Sequence, residues 1–185
     1  MLALTPEELA PTDTTDPAIE AIGASTLREI DIVGRRGPAQ ASWTTQELKE
    51  MGELAGADID VDPAELEGAE GNDTQTQRNL DVLHEFAARE PSGKPLVIRF
   101  LFFRSPVAIR GDAQVESIEL VRNRLGEQDG QLVAVPTDEH ETLECGLVFR
   151  SVGYRGVGLP EVPFDEHRGT IENSGGRVAG EECTY

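Results

Sequence analysis

Two adjacent arginines, Arg35 and Arg36, stand between Gly34 and Gly37 at the end of a short apolar run that begins at Ile30. In a parallel α/β sheet, ligands bind beyond the carboxyl ends of the strands. An arginine after the second strand of a dinucleotide fold accommodates the 2′-phosphate that separates NADP from NAD. Guanidinium suits that task because its rigid fork of donors matches a phosphate and its charge does not titrate away. Gly34 and Gly37 leave room either for close backbone approach to such a ligand or for a simple turn. The residues alone also allow two solvated arginines with no ligand. Further on, Glu47 and Glu50 lie three apart in a segment of helical pattern, so both can face one side. They read as paired functional carboxylates or as the wet face of an amphipathic helix. No Ser–His–Asp set and no metal-ligand spacing stands out, and no Gly-rich phosphate loop precedes the arginines.

A chain of 185 residues has the length of one ordinary domain, or of one domain with part of a second. Its charge is lopsided: 16 basic against 35 acidic residues give a formal net charge of −19, and lysine occurs only at Lys49 and Lys94. Such a balance argues against nucleic-acid or anionic-membrane partners. It suits a high-salt cytoplasm, where screening weakens self-repulsion, or an acidic protein from a GC-rich genome. No apolar run approaches the roughly 18 residues of a membrane span, and no secretory signal is visible, so a cytoplasmic location is expected. The cysteines, Cys145 and Cys183, have neither CxxC spacing nor a histidine partner. Cys145, beside an apolar run, reads as a small core filler and Cys183 as a free thiol.

Several elements must position these residues. Thr5-Pro6 and Asp16-Pro17 read as starts of short helices. A strand is expected over 29–34, a helix from Thr44-Thr45 to about Leu54, and a short strand near 58–62. A stronger helix is expected over about 74–90, with Leu80, Leu83, Phe86 and Ala87 at helical spacing. Leu96–Phe103 is too short and too apolar for a surface helix and reads as a buried strand. Val115–Val121, the Asp129-Gly130 turn and Leu132–Val135 suggest an antiparallel hairpin, and Pro106 a bend before it. Leu147–Val152 reads as a last clear strand, with Gly153 and Gly156 in a tight turn after it, and Val178 onward as another. The expected layout is a central parallel sheet containing 29–34 and 147–152, with an antiparallel excursion over about 96–135. Arg104, at a strand end, reads as solvated, and Asp165-Glu166 as surface charge.

Five stretches, in this order, resemble the adrenodoxin-reductase-like ferredoxin–NADP reductases. They are LALTPEELAPTD (2–13), IVGRRGPAQASWTTQELKE (32–50), RNLDVLHEFAARE (78–90), IRFLFFRSPVAIRG (98–111) and LVFRSVGYRGVGLPEVPFDEHRGTIENSGGRV (147–178). The second and the last are highly specific. The resemblance implies an α/β fold: the Rossmann-like NADP-binding domain of flavoproteins that carry two dinucleotide-binding domains, with an antiparallel β excursion and a truncated return into the FAD domain. It implies a partial NADP-binding domain over 1–152 and a remnant of the FAD-binding domain over 153–185. Both Gly-rich loops of the family would precede Met1, which makes the chain an internal fragment.

The resemblance also assigns roles. Arg35 and Arg36, with Gly34 and Gly37, match the family's 2′-phosphate site for NADP(H). Glu47 and Glu50 match acidic positions facing the nicotinamide end, where one carboxylate pairs with a histidine from the FAD domain. Trp43 falls on a family aromatic, at the adenine side of the cofactor or in the core. The implied activity takes hydride from NADPH onto FAD and passes electrons singly to a ferredoxin-type carrier. The family's docking surface for that carrier is basic, and much of it would lie outside this chain. Three readings follow: a reductase fragment that binds no FAD alone, a subunit complemented by a separate FAD-binding polypeptide, and a non-catalytic acidic interaction module.

Overall fold

A computed structural model describes residues 1–128, 130–153 and 155–178. It divides into two compact units, Met1–Gly146 and Leu147–Tyr185. Cys183, the expected free thiol, lies outside the described residues, as do Asp129 of the expected turn and Tyr154.

The first unit opens with two short helices, α1 (Pro6–Leu9) and α2 (Asp16–Gly23). Thr5 and Glu8 form a reciprocal capping box at the start of α1, and each helix has its proline in the first turn. Strand β1 (Glu29–Val33) then leads into the double-arginine turn and a short 3₁₀ segment, Pro38–Gln40. Helix α3 (Thr45–Gly52), strand β2 (Ala57–Val61), a 3₁₀ segment Pro63–Leu66 and helix α4 (Thr74–Ala87) follow. Strand β3 (Leu96–Leu101) returns between β1 and β2, giving a three-stranded sheet in the order β1-β3-β2, parallel throughout. The register sets Val33 opposite Leu101 and Val61 opposite Phe100, so the three strands end at one level.

The helical spacing in α4 does what it promises. Leu80, Leu83 and Phe86 are almost wholly buried and pack with Leu48 of α3 and with Ile98 and Phe100 of β3. Asp73 caps α4 by accepting from the Thr76 amide at 2.8 Å, which satisfies one of the orphan donors of the first turn. Among the described residues no helix is long and apolar enough to cross a membrane.

The second part of this unit is an antiparallel sheet in the order β4-β5-β6: β4 (Arg104–Arg110), β5 (Ser117–Gln128) and β6 (Gln131–Glu144). The expected excursion is therefore present but shifted. Residues 96–101 are the middle strand of the parallel sheet, because both of their neighbours are parallel strands. The excursion begins only at Arg104 and runs to Glu144. Strand β6 is much longer than the four apolar residues expected. Its later half, from Thr137, is polar at every position but Leu143, as an edge strand that is largely solvated tolerates.

The second unit contains two small hairpins, β7 (Phe164–Asp165) with β8 (Thr170–Ile171), and β9 (Asn173–Ser174) with β10 (Arg177–Val178). Asp165 does more than decorate the surface: it accepts from the amides of His167 and Arg168, both at 2.9 Å, and closes the β7–β8 turn. The Gly156 amide donates to the Gly169 carbonyl at 2.8 Å.

Two expectations fail here. Leu147–Val152 is not a strand and joins no sheet, and Leu147, Phe149 and Val152 are each more than half exposed. An apolar run settles as a strand only where a partner strand receives its backbone groups, and none of the described strands pairs with this one. Cys145 is half-buried at the end of β6 and is not core filler. Its amide closes the sheet by donating to the Glu116 carbonyl.

Candidate functional site

The double-arginine turn leaves the carboxyl end of β1, and its backbone is tied at every carbonyl. The Gly34 amide donates to the Leu101 carbonyl at 2.8 Å, which carries the parallel ladder one residue past β1. The Gly34 carbonyl accepts from the Arg104 amide at 3.0 Å and the Arg36 carbonyl from the Phe103 amide at 3.1 Å. Between them, the Arg35 carbonyl accepts from the side-chain amide of Asn123 on β5 at 2.8 Å. Phe103, which supplies one of these bonds, has a φ of 57°. That left-handed conformation costs a non-glycine residue about 1–3 kcal/mol and persists only where surroundings hold it. Here the Phe103 carbonyl is also engaged, accepting from the Asn123 amide at 2.6 Å.

The two glycines differ. A Cβ on Gly37 would lie 2.7 Å from the Phe103 ring, so glycine is required there by packing of the protein against itself. A Cβ on Gly34 would make only ordinary contact, 3.5 Å from the Phe102 ring. Neither distance calls for a ligand.

With the backbone fixed, both arginine side chains are exposed, and among the described residues neither pairs with a carboxylate. Arg36 makes one long bond, Nη1 to the Leu132 carbonyl at 3.4 Å, at the start of β6. It borders a cleft of about 530 Å³ between the turn and the start of α4, with Gln40, Glu70, Asp73, Thr76 and Leu132 on its walls. Both Asp73 oxygens are engaged, by the Thr76 amide at 2.8 Å and its hydroxyl at 3.0 Å. These bonds, the backbone one first, hold the Asp73 carboxyl below the usual carboxylate range. Arg35 borders neither this cleft nor the next.

An adjoining cleft of about 520 Å³ shares Ala41, Asp73 and Thr76 with the first and adds Trp43, Glu47 and Asn79. Glu47 is exposed and closes a capping box at the start of α3: Oε2 accepts from the Thr44 amide and hydroxyl, both at 2.8 Å. Those bonds, the amide first, keep its carboxyl below the ordinary range, so it is ionised at neutral pH. Glu50 accepts from Gln46 at 2.9 Å one turn away and borders neither cleft. Trp43 packs edge-on against Phe100, with ring centroids 5.5 Å apart, so it is mainly a core residue whose rim reaches the cleft. Its carbonyl accepts from Asn79, which is itself buried and receives the Thr45 hydroxyl at 2.6 Å. Among the described residues, no group of three His, Cys, Asp or Glu could hold a metal ion.

Sequence reasoning missed the polar cluster beneath the turn and misplaced Arg104. That arginine is not solvated: its side chain is 12% exposed and pairs with Glu65 and Glu141. Burial works against its charge, but the bonds and charges of Glu65 and then Glu141 outweigh it and raise the guanidinium above its ordinary value. Glu65, on the 3₁₀ segment after β2, is 2% exposed in its side chain. It also accepts from the Phe102 amide at 2.8 Å and from Arg122 at 3.0 Å. Glu65 is one acid among 35, and its partner lies 39 positions away, so no local signal marked the pair. Asn123 was also missed. The one hint was a lone polar residue within a strand of apolar and charged alternation.

No family model matches the chain. It is 44% identical over 191 residues to NADPH-ferredoxin reductase FprA of Mycobacterium tuberculosis, an alignment that covers 100% of this chain and 42% of that protein. It is 34% identical over 201 residues to mitochondrial NADPH:adrenodoxin oxidoreductase of Rattus norvegicus, covering 100% of this chain and 41% of that protein. Among solved structures, Mycobacterium tuberculosis FprA in complex with NADPH superposes with a TM-score of 0.88 at 44% identity, over 97% of this chain and 41% of that one. The chain thus spans about two fifths of the length of these relatives. With that fold match, the parallel sheet and its antiparallel appendage are those of a Rossmann-like NADP-binding domain. The chain is thus a homologue, over about two fifths of their length, of the NADPH-ferredoxin and NADPH:adrenodoxin reductases.

Proposed function

We propose that this chain is the NADPH-binding portion of a ferredoxin–NADP reductase, an enzyme that moves electrons between NADPH and a ferredoxin-type carrier through FAD. One observation carries the reading. An exposed arginine pair, free of carboxylate partners among the described residues, stands at the carboxyl end of a parallel strand. That is where an open α/β sheet binds its ligand. The reading is supported by relatives named as NADPH-ferredoxin and NADPH:adrenodoxin reductases.

In this account Arg35 and Arg36 hold the 2′-phosphate of NADPH, and Gly34 and Gly37 shape the turn that presents them. Arg36 exchanges its long bond to the Leu132 carbonyl for a phosphate oxygen, a charge-assisted bond of the stronger kind. Glu47 and Glu50 face the nicotinamide end. Glu47, fixed as a carboxylate, acts there by charge and by accepting hydrogen bonds, not by donating a proton. FAD supplies the hydride acceptance and one-electron release when it is bound. Residues 153–185 are assigned to the FAD-binding domain, whose remainder comes from the same or a complementary polypeptide. A cytoplasmic location and a ferredoxin-type partner go with this reading.

The test places residues 1–185 in a full-length homologous context and replaces Arg35 and Arg36 with alanine. Hydrogen bonds to charged groups are worth about 1.5–3 kcal/mol each. At 1.4 kcal/mol per factor of ten, kcat/KM for NADPH should fall by about ten- to a hundredfold for one bond and further for both, with NADH use nearly unchanged. The loss should shrink at high salt. Equal losses with both cofactors would refute the assignment.

A further inference from the structure

The carbonyls of residues 34, 35 and 36 are held by three donors. Two of these are backbone amides, of Arg104 and Phe103, and one is a side chain, Asn123. Asn123 is 5% exposed, and its Nδ2 donates to both the Arg35 carbonyl and the Ser105 hydroxyl, each at 2.8 Å. Its Oδ1 is buried and has no partner among the described residues. One bond of Nδ2, to Ser105 on β4, lies within the antiparallel sheet; the other leaves the sheet and ties β5 to the arginine turn. The residue also sits where the β5–β6 register breaks, between Val121 and Asn123, and its amide holds the Phe103 carbonyl of the left-handed residue that faces Gly37.

We propose that Asn123 is a positioning residue of the double-arginine turn: it fixes the 35–36 peptide with its carbonyl turned into the protein and away from a bound 2′-phosphate. The inference rests on the reading of Arg35 and Arg36 given above. Released from Asn123, that peptide is free to rotate and bring a carbonyl oxygen toward the anion, opposing it by charge. The effect acts on the phosphate and not on the adenosine, because the peptide lies between the two phosphate-binding side chains. A further specificity determinant for the 2′-phosphate thus lies on β5, outside the loop that carries the arginines.

The experiment uses the 185-residue chain and two probes, 2′,5′-ADP and 5′-AMP, titrated by ¹⁵N-resolved nuclear magnetic resonance. Asn123→Leu keeps the volume and removes the donor. Asn123→Asp keeps the shape and puts an oxygen in place of the donating nitrogen. The double variant Arg35→Ala with Arg36→Ala is the control. The wild-type chain is expected to prefer 2′,5′-ADP, and the control to lose that preference. Each Asn123 variant should lose about two- to tenfold of it, as one neutral hydrogen bond warrants, while 5′-AMP affinity and the cooperative melt are retained. Without ligand, the Arg36 amide resonance should broaden or double in both variants. An unchanged preference, an equal loss for both probes, or a single unshifted Arg36 resonance in a folded variant would overturn the proposal. If both variants fail to fold, Asn123 serves the fold and the proposal is overturned as well. If the control keeps the wild-type preference, the arginine reading itself has failed, an outcome distinct from failure of Asn123 alone.

Discussion

Arg35 and Arg36 stand in water, with their backbone carbonyls tied and their guanidinium groups free of carboxylates among the described residues. Arg104, which begins β4, is the reverse: its side chain is enclosed, with Nε and Nη1 engaged by Glu141, Glu65 and the Phe102 carbonyl. Arg122 sits between these extremes, half-buried and donating to Glu65. The contrast separates two uses of one side chain. A guanidinium that secures the fold is desolvated and paired with carboxylates. One that is to take an external phosphate must keep its donors open, so the protein fixes the peptide beneath it instead. The same strand junction, residues 101–104, does both: its backbone amides and carbonyls hold the arginine turn, and its side chain at Arg104 anchors the cluster.

The sharpest way to break this comparison is to remove the carboxylate from the enclosed side. Glu65→Ala leaves Arg104 buried with one acid, and Arg122 and the Phe102 amide without their acceptor. Breaking a buried pair in this way costs about 3–5 kcal/mol. Urea denaturation of the variant should show that loss, and a cost under about 1 kcal/mol would mean that the cluster behaves as a surface pair. Charge removal at Arg35 or Arg36 should instead leave stability nearly unchanged, because exposed side chains away from special features shift it by less than about 0.5 kcal/mol.

The glycines sharpen the comparison at the backbone. Gly37→Ala drives a methyl to within 2.7 Å of the Phe103 ring and should cost about 1–3 kcal/mol. Gly34→Ala, with only an ordinary contact at 3.5 Å, should be neutral or slightly stabilising. Thermal melts of the two variants check this, and equal destabilisation would show that the ring of Phe103 does not set the turn.

Smaller effects are expected at the helix starts around the clefts. Thr44→Val removes the hydroxyl from the α3 capping box and should cost about 1 kcal/mol. Glu47, Asp58 and Asp73 all have carboxyls held below their ordinary values: by the Thr44 amide, by the Ser92 hydroxyl and Lys94 amide, and by the Thr76 amide. A carboxylate so depressed adds stability above its unfolded value of about 4, and that stability is lost as pH falls through the folded values. Denaturant midpoints should therefore decline gradually below about pH 4, and Asp73→Asn should flatten the decline. A midpoint independent of pH across this window would contradict these assignments.

What the sequence made legible follows from the range over which each interaction acts. The β1 strand with its arginines, the β3 run and the Leu80–Leu83–Phe86 face of α4 are written in neighbouring residues, and the fold uses them as written. The mistaken strand over 147–152 has an apolar run but no strand that pairs with it, which no local pattern can supply. Arg104 was misplaced because its burial depends on Glu65 and Glu141, both 37 or more positions away. The arginine pair was readable as a candidate phosphate site from its own neighbours. The groups that bond its backbone, Asn123 on β5 and Phe103 at the β3–β4 junction, come from distant positions and were not.

The central claim is that Arg35 and Arg36 are open to a 2′-phosphate while Arg104 and Arg122 are already committed. The most direct measurement follows the side-chain Nε–H resonances of these four arginines while 2′,5′-ADP is added to the chain. The account predicts that those of Arg35 and Arg36 shift together along one saturating curve, that those of Arg104 and Arg122 stay in place, and that 5′-AMP produces no such shift. Movement of Arg104 and Arg122 with the ligand, or a response of Arg35 and Arg36 that 5′-AMP reproduces, would contradict it.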